Sequence, residues 1–267
     1  MESSSGDRGV LSVTRHGSVL LLTLNRPESR NALNRELIAA LQAAIGRYTA
    51  DESLAVLVLT GADPAFCAGL DLRELSQRGA PPMGGGEMIH ALAALGKPVI
   101  GAVNGPAVTG GLELALACDF LIASERATFA DTHARVGVLP GGGLSARLPQ
   151  AVGLRLARQM SYTGDYLSSA RALASGLVNE VVEHDGLLGR ALEVAETIAA
   201  NHNELVQELK SIYYRGSLST LADALAIETE AATARRAAGR QFATNVTSVI
   251  EHGRSQQPNA AAGGGQV

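Results

Sequence analysis

Tryptophan is absent from this 267-residue chain, and all aromatic residues together make up 3% of it. A core of this size must then be built from Ala, Leu and Val, within a composition that is 46% hydrophobic and 18% charged. Cysteine is almost as scarce. Cys67 and Cys118 make neither a disulfide framework nor a zinc-ligand spacing. The six histidines are scattered, with no HExxH and no His-x-His, so no metal site is expected. Lysine is nearly missing too, since only Lys97 and Lys210 among 22 basic residues are not Arg. A net charge of −4 excludes nucleic acid and anionic membrane as main partners. No apolar run approaches the ~20 residues that span a bilayer. The first residues, MESSSGDRG, lack the apolar centre of a secretory signal, so a reduced, cytoplasmic setting is the expectation.

What is present is an alternation of strand and helix patterns. Residues 1–9 and 255–267 are low-complexity and expected to be disordered. "VLSVTRHGSVLLLTLN" predicts two short strands with a turn at Arg15–Ser18. "NRELIAALQAAIGRYTA" places Leu37, Ile38, Leu41, Ala44, Ile45 and Tyr48 on one helical face, with Asn34 as the cap. "AVLVLTG" and "KPVIGAVNG" read as buried strands, and "GAPPMGGG" (79–86) reads as a loop. From about Asp185 the pattern turns helical. The expected organisation is an α/β core over residues 10–184 followed by a helical segment over 185–254.

Two glycine-bearing stretches, "FCAGLD" and "VTGGLELAL", matter for chemistry. Gly110 and Gly111 open a helix whose first N–H groups lack internal partners and favour negative charge. Two such loops meeting would hold a developing oxyanion; alternatively the glycines only close tight turns. Gly141-x-Gly143-x-x-Ala146 fits a dinucleotide spacing, but no βαβ unit surrounds it. No GxSxG elbow and no Walker loop occurs.

In order along the chain stand "LNRPESRNAL", "AFCAGLDL", "KPVIGAVNGPAVTGGLELALACDFLIAS", "FADTHARVGVLPGGG" and "TGDYLSSARALASGLVNEVV". Together they resemble the crotonase family, the enoyl-CoA hydratase/isomerase group, over roughly residues 10–250. The resemblance implies a spiral of ββα units, a helical C-terminal segment for trimers or hexamers, and an enzyme of fatty-acid metabolism acting on acyl-CoA with no separate cofactor. It implies an oxyanion hole from the backbone N–H groups of Leu70 and Gly110, and acyl-CoA contacts at Arg30, Ala32, Leu33, Ala68, Leu70, Asp71, Leu72, Arg73, Gly110 and Gly141. Glu113 matches the first of two family glutamates that bind the attacking water; a helix-capping carboxylate is the plainer reading.

The second glutamate position, four residues before Gly137, holds His133. Histidine suits acid–base chemistry near neutral pH. So His133 is either the partner of Glu113 or a side chain hydrogen-bonded within the pocket wall. Eight residues further on, Gly141 stands where related diene isomerases and hydroxyacyl-CoA hydrolases carry an acid, so those reactions are not expected. Hydration of an enoyl-CoA is the leading expectation, with Δ3-Δ2 isomerisation or acyl-CoA binding without turnover as alternatives. Cys67 reads as a buried filler, and His90 either faces the acyl pocket or sits on an exposed helix face.

Overall fold

The computed structural model describes residues 9–78 and 84–239. Apart from Gly9, the expected disordered ends lie outside them, as do residues 240–254 of the expected helical segment. The chain forms two compact units, Met1–Ser211 and Ile212–Val267.

The first unit begins with a hairpin of β1 (Leu11–His16) and β2 (Val19–Leu24), paired from Leu11↔Leu24 to His16↔Val19. Its two turn residues are Gly17 and Ser18, and Gly17 takes φ +58°, which a side chain disfavours. Helix α1 (Arg35–Ala50) follows, with all six expected apolar positions buried. Asn34 caps it by accepting a hydrogen bond from the Leu37 N–H at 2.9 Å. Replacing Asn34 with Ala is expected to cost about 1 kcal/mol and lower Tm by roughly 2–4 °C in a thermal melt.

A repeating unit then emerges. β3 (Val56–Gly61) leads to α2 (Leu72–Arg78) and α3 (Gly84–Ala93). β4 (Val99–Val103) and β5 (Ala107–Val108) lead to α4 (Gly110–Leu116), and β6 (Phe120–Ser124) and β7 (Thr128–Ala130) to α5 (His133–Val136). Next come α6 (Leu144–Val152), α7 (Leu154–Thr163), β8 (Leu167–Ser168), α8 (Ser169–Ser175), β9 (Glu180–Val182) and α9 (Leu187–Ala199).

The larger sheet runs β1-β2-β3-β4-β6-β9, parallel after the hairpin, and the smaller runs β5-β7-β8. Single-residue bridges Cys67↔Ala107 and Leu33↔Leu70 carry the smaller sheet's pairing back to the earlier turns. Each turn therefore contributes one strand to the large sheet, one short strand or bridge beside it, and a helix. This is the ββα spiral.

The inner strands β2, β3 and β4 are buried on both faces, which explains their nearly unbroken apolar sequences, whereas the edge strand β1 is mostly exposed. Successive side chains point to opposite sides. Leu20, Leu22, Leu24, Leu57 and Leu59 join α1 in one cluster. Val19, Leu21, Val56, Val58, Ile100 and Ile122 meet Leu187, Ala191 and Ala195, one stripe of α9, in the other. Helical structure does begin near Asp185, but α9 belongs to the first compact unit, which continues to Ser211.

The loop expected at 79–86 needs correction at its end, residues 79–83 being outside the described ones. Gly84, Gly85 and Gly86 form the first turn of α3. Three glycines disfavour helix by propensity, but tertiary contact overrides it. A Cβ on Gly86 would stand 2.4 Å from the Gly141 carbonyl oxygen, so only glycine permits this approach. Helices α10 (Asn203–Ser217) and α11 (Leu221–Ala237) follow, α11 capped by Thr220 Oγ1 accepting from the Asp223 N–H. Among the described residues no helix is long and apolar enough to cross a membrane.

Candidate active site

The two glycine-bearing stretches meet. Leu33 donates its N–H to the Gly69 carbonyl at 2.7 Å and accepts from the Asp71 N–H at 3.1 Å. In such a parallel bridge the residue between, Leu70, turns its own N–H to the other side. Gly110 is found there: a Cβ built on it would lie 3.6 Å from the Leu70 nitrogen. As the first residue of α4, Gly110 presents an N–H that the helix cannot satisfy. Gly69 takes φ +90°, and a Cβ on it would reach the Val108 oxygen at 2.9 Å and the Gly110 nitrogen at 3.2 Å.

Thr109 sets the last of these peptides. Its φ of +55° with ψ −113° is a genuine outlier for a β-branched residue, at a cost of about 1–3 kcal/mol. Three hydrogen bonds hold it. Thr109 N–H donates to Ala130 O at 2.8 Å, its carbonyl accepts from Glu113 N–H at 2.9 Å, and its hydroxyl shares a 2.6 Å bond with that of Thr132.

Glu113, on α4, is buried. Its Oε1 accepts from Gly142 N–H at 2.7 Å and from Leu144 N–H at 3.4 Å, the latter at the start of α6. Oε2 is left to face His133, whose Nε2 lies 3.9 Å away. That separation is too long for a direct hydrogen bond and suits one bridging oxygen. On its other side, the His133 ring places Nδ1 at 2.6 Å from Asp131 Oδ1. Burial raises the Asp131 carboxyl, but bonds from the His133 ring, the Ser161 hydroxyl and the His133 backbone outweigh it and hold it below the usual range.

The 141–143 loop that positions Glu113 is itself trussed. His90 Nε2 bonds the Gly141 carbonyl at 3.1 Å, and Arg147 Nη1 donates to the Gly142 carbonyl at 2.6 Å. His90 is thus an exposed helix residue that holds this loop. Cys67 is fully buried, and burial pushes its thiol up to about 12, so it stays protonated.

Of the residues expected to meet acyl-CoA, Gly110 opens α4 and Gly141 lies in the loop held by His90, while those at 30–33 and 68–73 form a second strip. Ala68 N–H donates to Arg30 O at 3.0 Å, which with the Leu33 pairings lays 30–33 alongside 68–71. Arg30 and Arg73 are exposed, and so is Leu72 at 53%. Asp71 has structural duties. Its Oδ1 accepts from the Arg73 and Glu74 N–H groups, and its Oδ2 pairs with Arg26 at 3.0 Å. The Arg26 guanidinium also donates to the Ala32 carbonyl. Burial raises the Asp71 carboxyl, yet these bonds together hold it low.

A sequence profile of the enoyl-CoA hydratase/isomerase family matches residues 14–252. The chain belongs to that family. Among this enoyl-CoA hydratase/isomerase chain's relatives is a Rhizobium meliloti protein named probable enoyl-CoA hydratase, 42% identical over 224 residues, 82% of this chain and 86% of the other. The crystal structure of enoyl-CoA hydratase from Mycobacterium tuberculosis superimposes with TM-score 0.72 at 52% identity, covering 85% of this chain and 98% of that one. That of enoyl-CoA hydratase from Bacillus anthracis gives TM-score 0.82 at 32% identity, covering 93% and 97%.

Several contributors to this family member's site escaped sequence reading. Asp131 is the main one, and a signal for it existed: Asp two residues before His133 can bond the backbone ahead of it, as Asp131 Oδ1 does with His133 N–H at 3.2 Å. Gly142 and Thr109 act through backbone geometry and Arg147 through a side-chain bond to the Gly142 carbonyl, none of which leaves a pattern in the chain.

Proposed function

We propose that this chain is an enoyl-CoA hydratase, adding water across the 2,3 double bond of an enoyl-CoA thioester. The observation that carries the reading is the facing pair of Glu113 Oε2, on the helix that begins with Gly110, and His133 Nε2, on α5, 3.9 Å apart in a buried site. A water oxygen between them can lie about 2.8 Å from each.

The reaction follows from that placement. The water oxygen bonds to the β-carbon while one member of the pair takes a water proton. The electron pair of the double bond moves onto the thioester oxygen as an enolate, which the Leu70 and Gly110 N–H groups stabilise. A donor of this kind is typically worth about 2.7–4 kcal/mol. The enolate then collapses, and the α-carbon takes a proton from the pair's other member. Two facing proton carriers fit hydration better than a one-base isomerisation. Hydration reduces one carbon as much as it oxidises the other, so the reaction as written calls for no external oxidant or reductant.

Arg30 and Arg73, exposed beside the 30–33 and 68–71 strip, supply positive charge for the CoA phosphates. Self-association as a trimer or hexamer is part of the proposal, supported by the apolar side chains that α11 exposes, Leu221 at 78% and Leu225 at 57%. The proposed setting is the cytoplasm.

The test is an activity screen of the purified protein with short, medium and long 2-enoyl-CoAs, following loss of the conjugated thioester. Turnover at some chain length is expected. Tight acyl-CoA binding without hydration at any length would leave a binding protein and overturn the reading.

A further inference from the structure

Resting on that reading of the site, we propose that Asp131 is a positioning residue that makes His133 the proton donor of the pair and leaves Glu113 as its base. The family resemblance accounts for two acid–base groups; it does not say how a histidine in the second place is controlled. The geometry around the ring does.

Asp131 and His133 are joined at Oδ1–Nδ1, 2.6 Å, with side chains only 2% and 8% exposed. Asp131 accepts at once from the ring, the Ser161 hydroxyl and the His133 backbone, so it is an ionised acceptor. An acceptor at Nδ1 requires the proton there, which leaves Nε2 as the nitrogen that exchanges protons with the site. With Nδ1–H committed to Asp131, a proton carried on Nε2 points toward the gap before Glu113. Glu113 is engaged oppositely. Gly142 and Leu144 donate to its Oε1, and Oε2 remains an acceptor in the same gap. Donor and acceptor are thus assigned by different neighbours.

The charged groups around His133 are few. Asp131 precedes α5, Glu113 comes from α4, and α7 contributes the neutral Ser161. Arg135, on α5 itself, is turned to the Thr163 carbonyl at 2.8 Å and Asp165 at 3.0 Å. Arg147 on α6 is held by the Gly142 carbonyl.

The proton balance closes. Glu113 Oε2 takes a proton as water adds to the β-carbon. His133 Nε2–H gives its proton to the α-carbon as the enolate electron pair forms the new C–H bond. Transfer of the proton from Oε2 to Nε2, through the next water to enter, restores the starting pair.

The experiment combines kinetics with nitrogen-15 NMR of the histidine in the free, full-length protein. In the wild type, the neutral His133 ring is expected to carry its proton on Nδ1. Asp131→Asn should lower kcat by about 100-fold or more while leaving KM nearly unchanged. It should also let the neutral ring's proton redistribute from Nδ1 to Nε2 in the nitrogen-15 spectrum, because an amide oxygen is a weaker acceptor than a carboxylate. Asp131→Glu should recover part of both.

A loss of kcat with an unchanged ring signature would make Asp131 merely structural and overturn the proposal. So would wild-type His133 protonated only at Nε2 when neutral, whatever the variants do. A wild type that shows the Nδ1–H signature but hydrates nothing would instead sink the hydratase reading, and with it the donor role, while leaving the Asp131–His133 pairing intact.

Discussion

Glu113→Gln is expected to abolish most hydration, lowering kcat by roughly 10²–10⁴-fold with little change in KM. Gln has the same shape, and its amide oxygen can still accept the Gly142 N–H that now reaches Glu113 Oε1 at 2.7 Å. The other terminus, however, becomes an NH₂ facing His133 Nε2 where Oε2 now stands at 3.9 Å. That group donates and cannot take a proton from water. The loss should therefore appear in the chemical step, not in folding or in acyl-CoA affinity. Steady-state kinetics with the best substrate from the chain-length screen, beside a thermal melt of the variant, separates the two. Activity near that of the wild type would remove Glu113 from the mechanism.

Gly111→Ala is expected to damage the whole site through the backbone. A Cβ at Gly111 would stand 2.0 Å from the Cys67 carbonyl oxygen and 2.7 Å from its carbon. Neither atom belongs to a flexible side chain, so α4 must move away from the Cys67 bridge. That bridge consists of Cys67 N–H to Pro106 O at 3.1 Å and Val108 N–H to Cys67 O at 2.9 Å. The Leu70 and Gly110 N–H groups follow it on its two strands, so separating them also opens the proposed oxyanion site. Overpacking of this kind costs about 3 kcal/mol, which corresponds to a fall in Tm of roughly 6–12 °C. Gly46→Ala is the control. It lies within α1, exposed, with nothing within 4 Å of a Cβ, and should gain about 0.5–1 kcal/mol. Opposite signs for two Gly→Ala changes in helices would tie the Gly111 effect to its contact with Cys67.

The legible parts of the fold were those written as periodicity. The α1 stripe, its Asn34 cap and the unbroken apolar strands all correspond to described elements, since each arises from burial that repeats every few residues. The smaller sheet was less legible because Cys67 and Leu33 join it through single-residue bridges, too short to leave a pattern. The glycines at 84–86 misled for a related reason. Composition reports their poor helix propensity, and the close approach to Gly141 that requires them is made 55 positions away in the chain.

At the site, family spacing pointed to Glu113 and His133, and the fold brings their side chains to face one another. The third member of that row, Asp131, stands two residues before His133 but was not among the site residues that the resemblance implied. It was visible only as an ordinary aspartate before a turn. Its role depends on the ring of His133 rotating Nδ1 toward it, a side-chain choice that the sequence does not encode locally.

A double-mutant cycle on Glu113→Gln and His133→Ala, read as kcat for hydration of one enoyl-CoA, tests most directly whether the two groups work as one device. If they share a water and its protons, either change alone disables the pair, and the double variant should be about as slow as the slower single one. Losses that multiply, or a His133→Ala variant with full activity, would contradict the account.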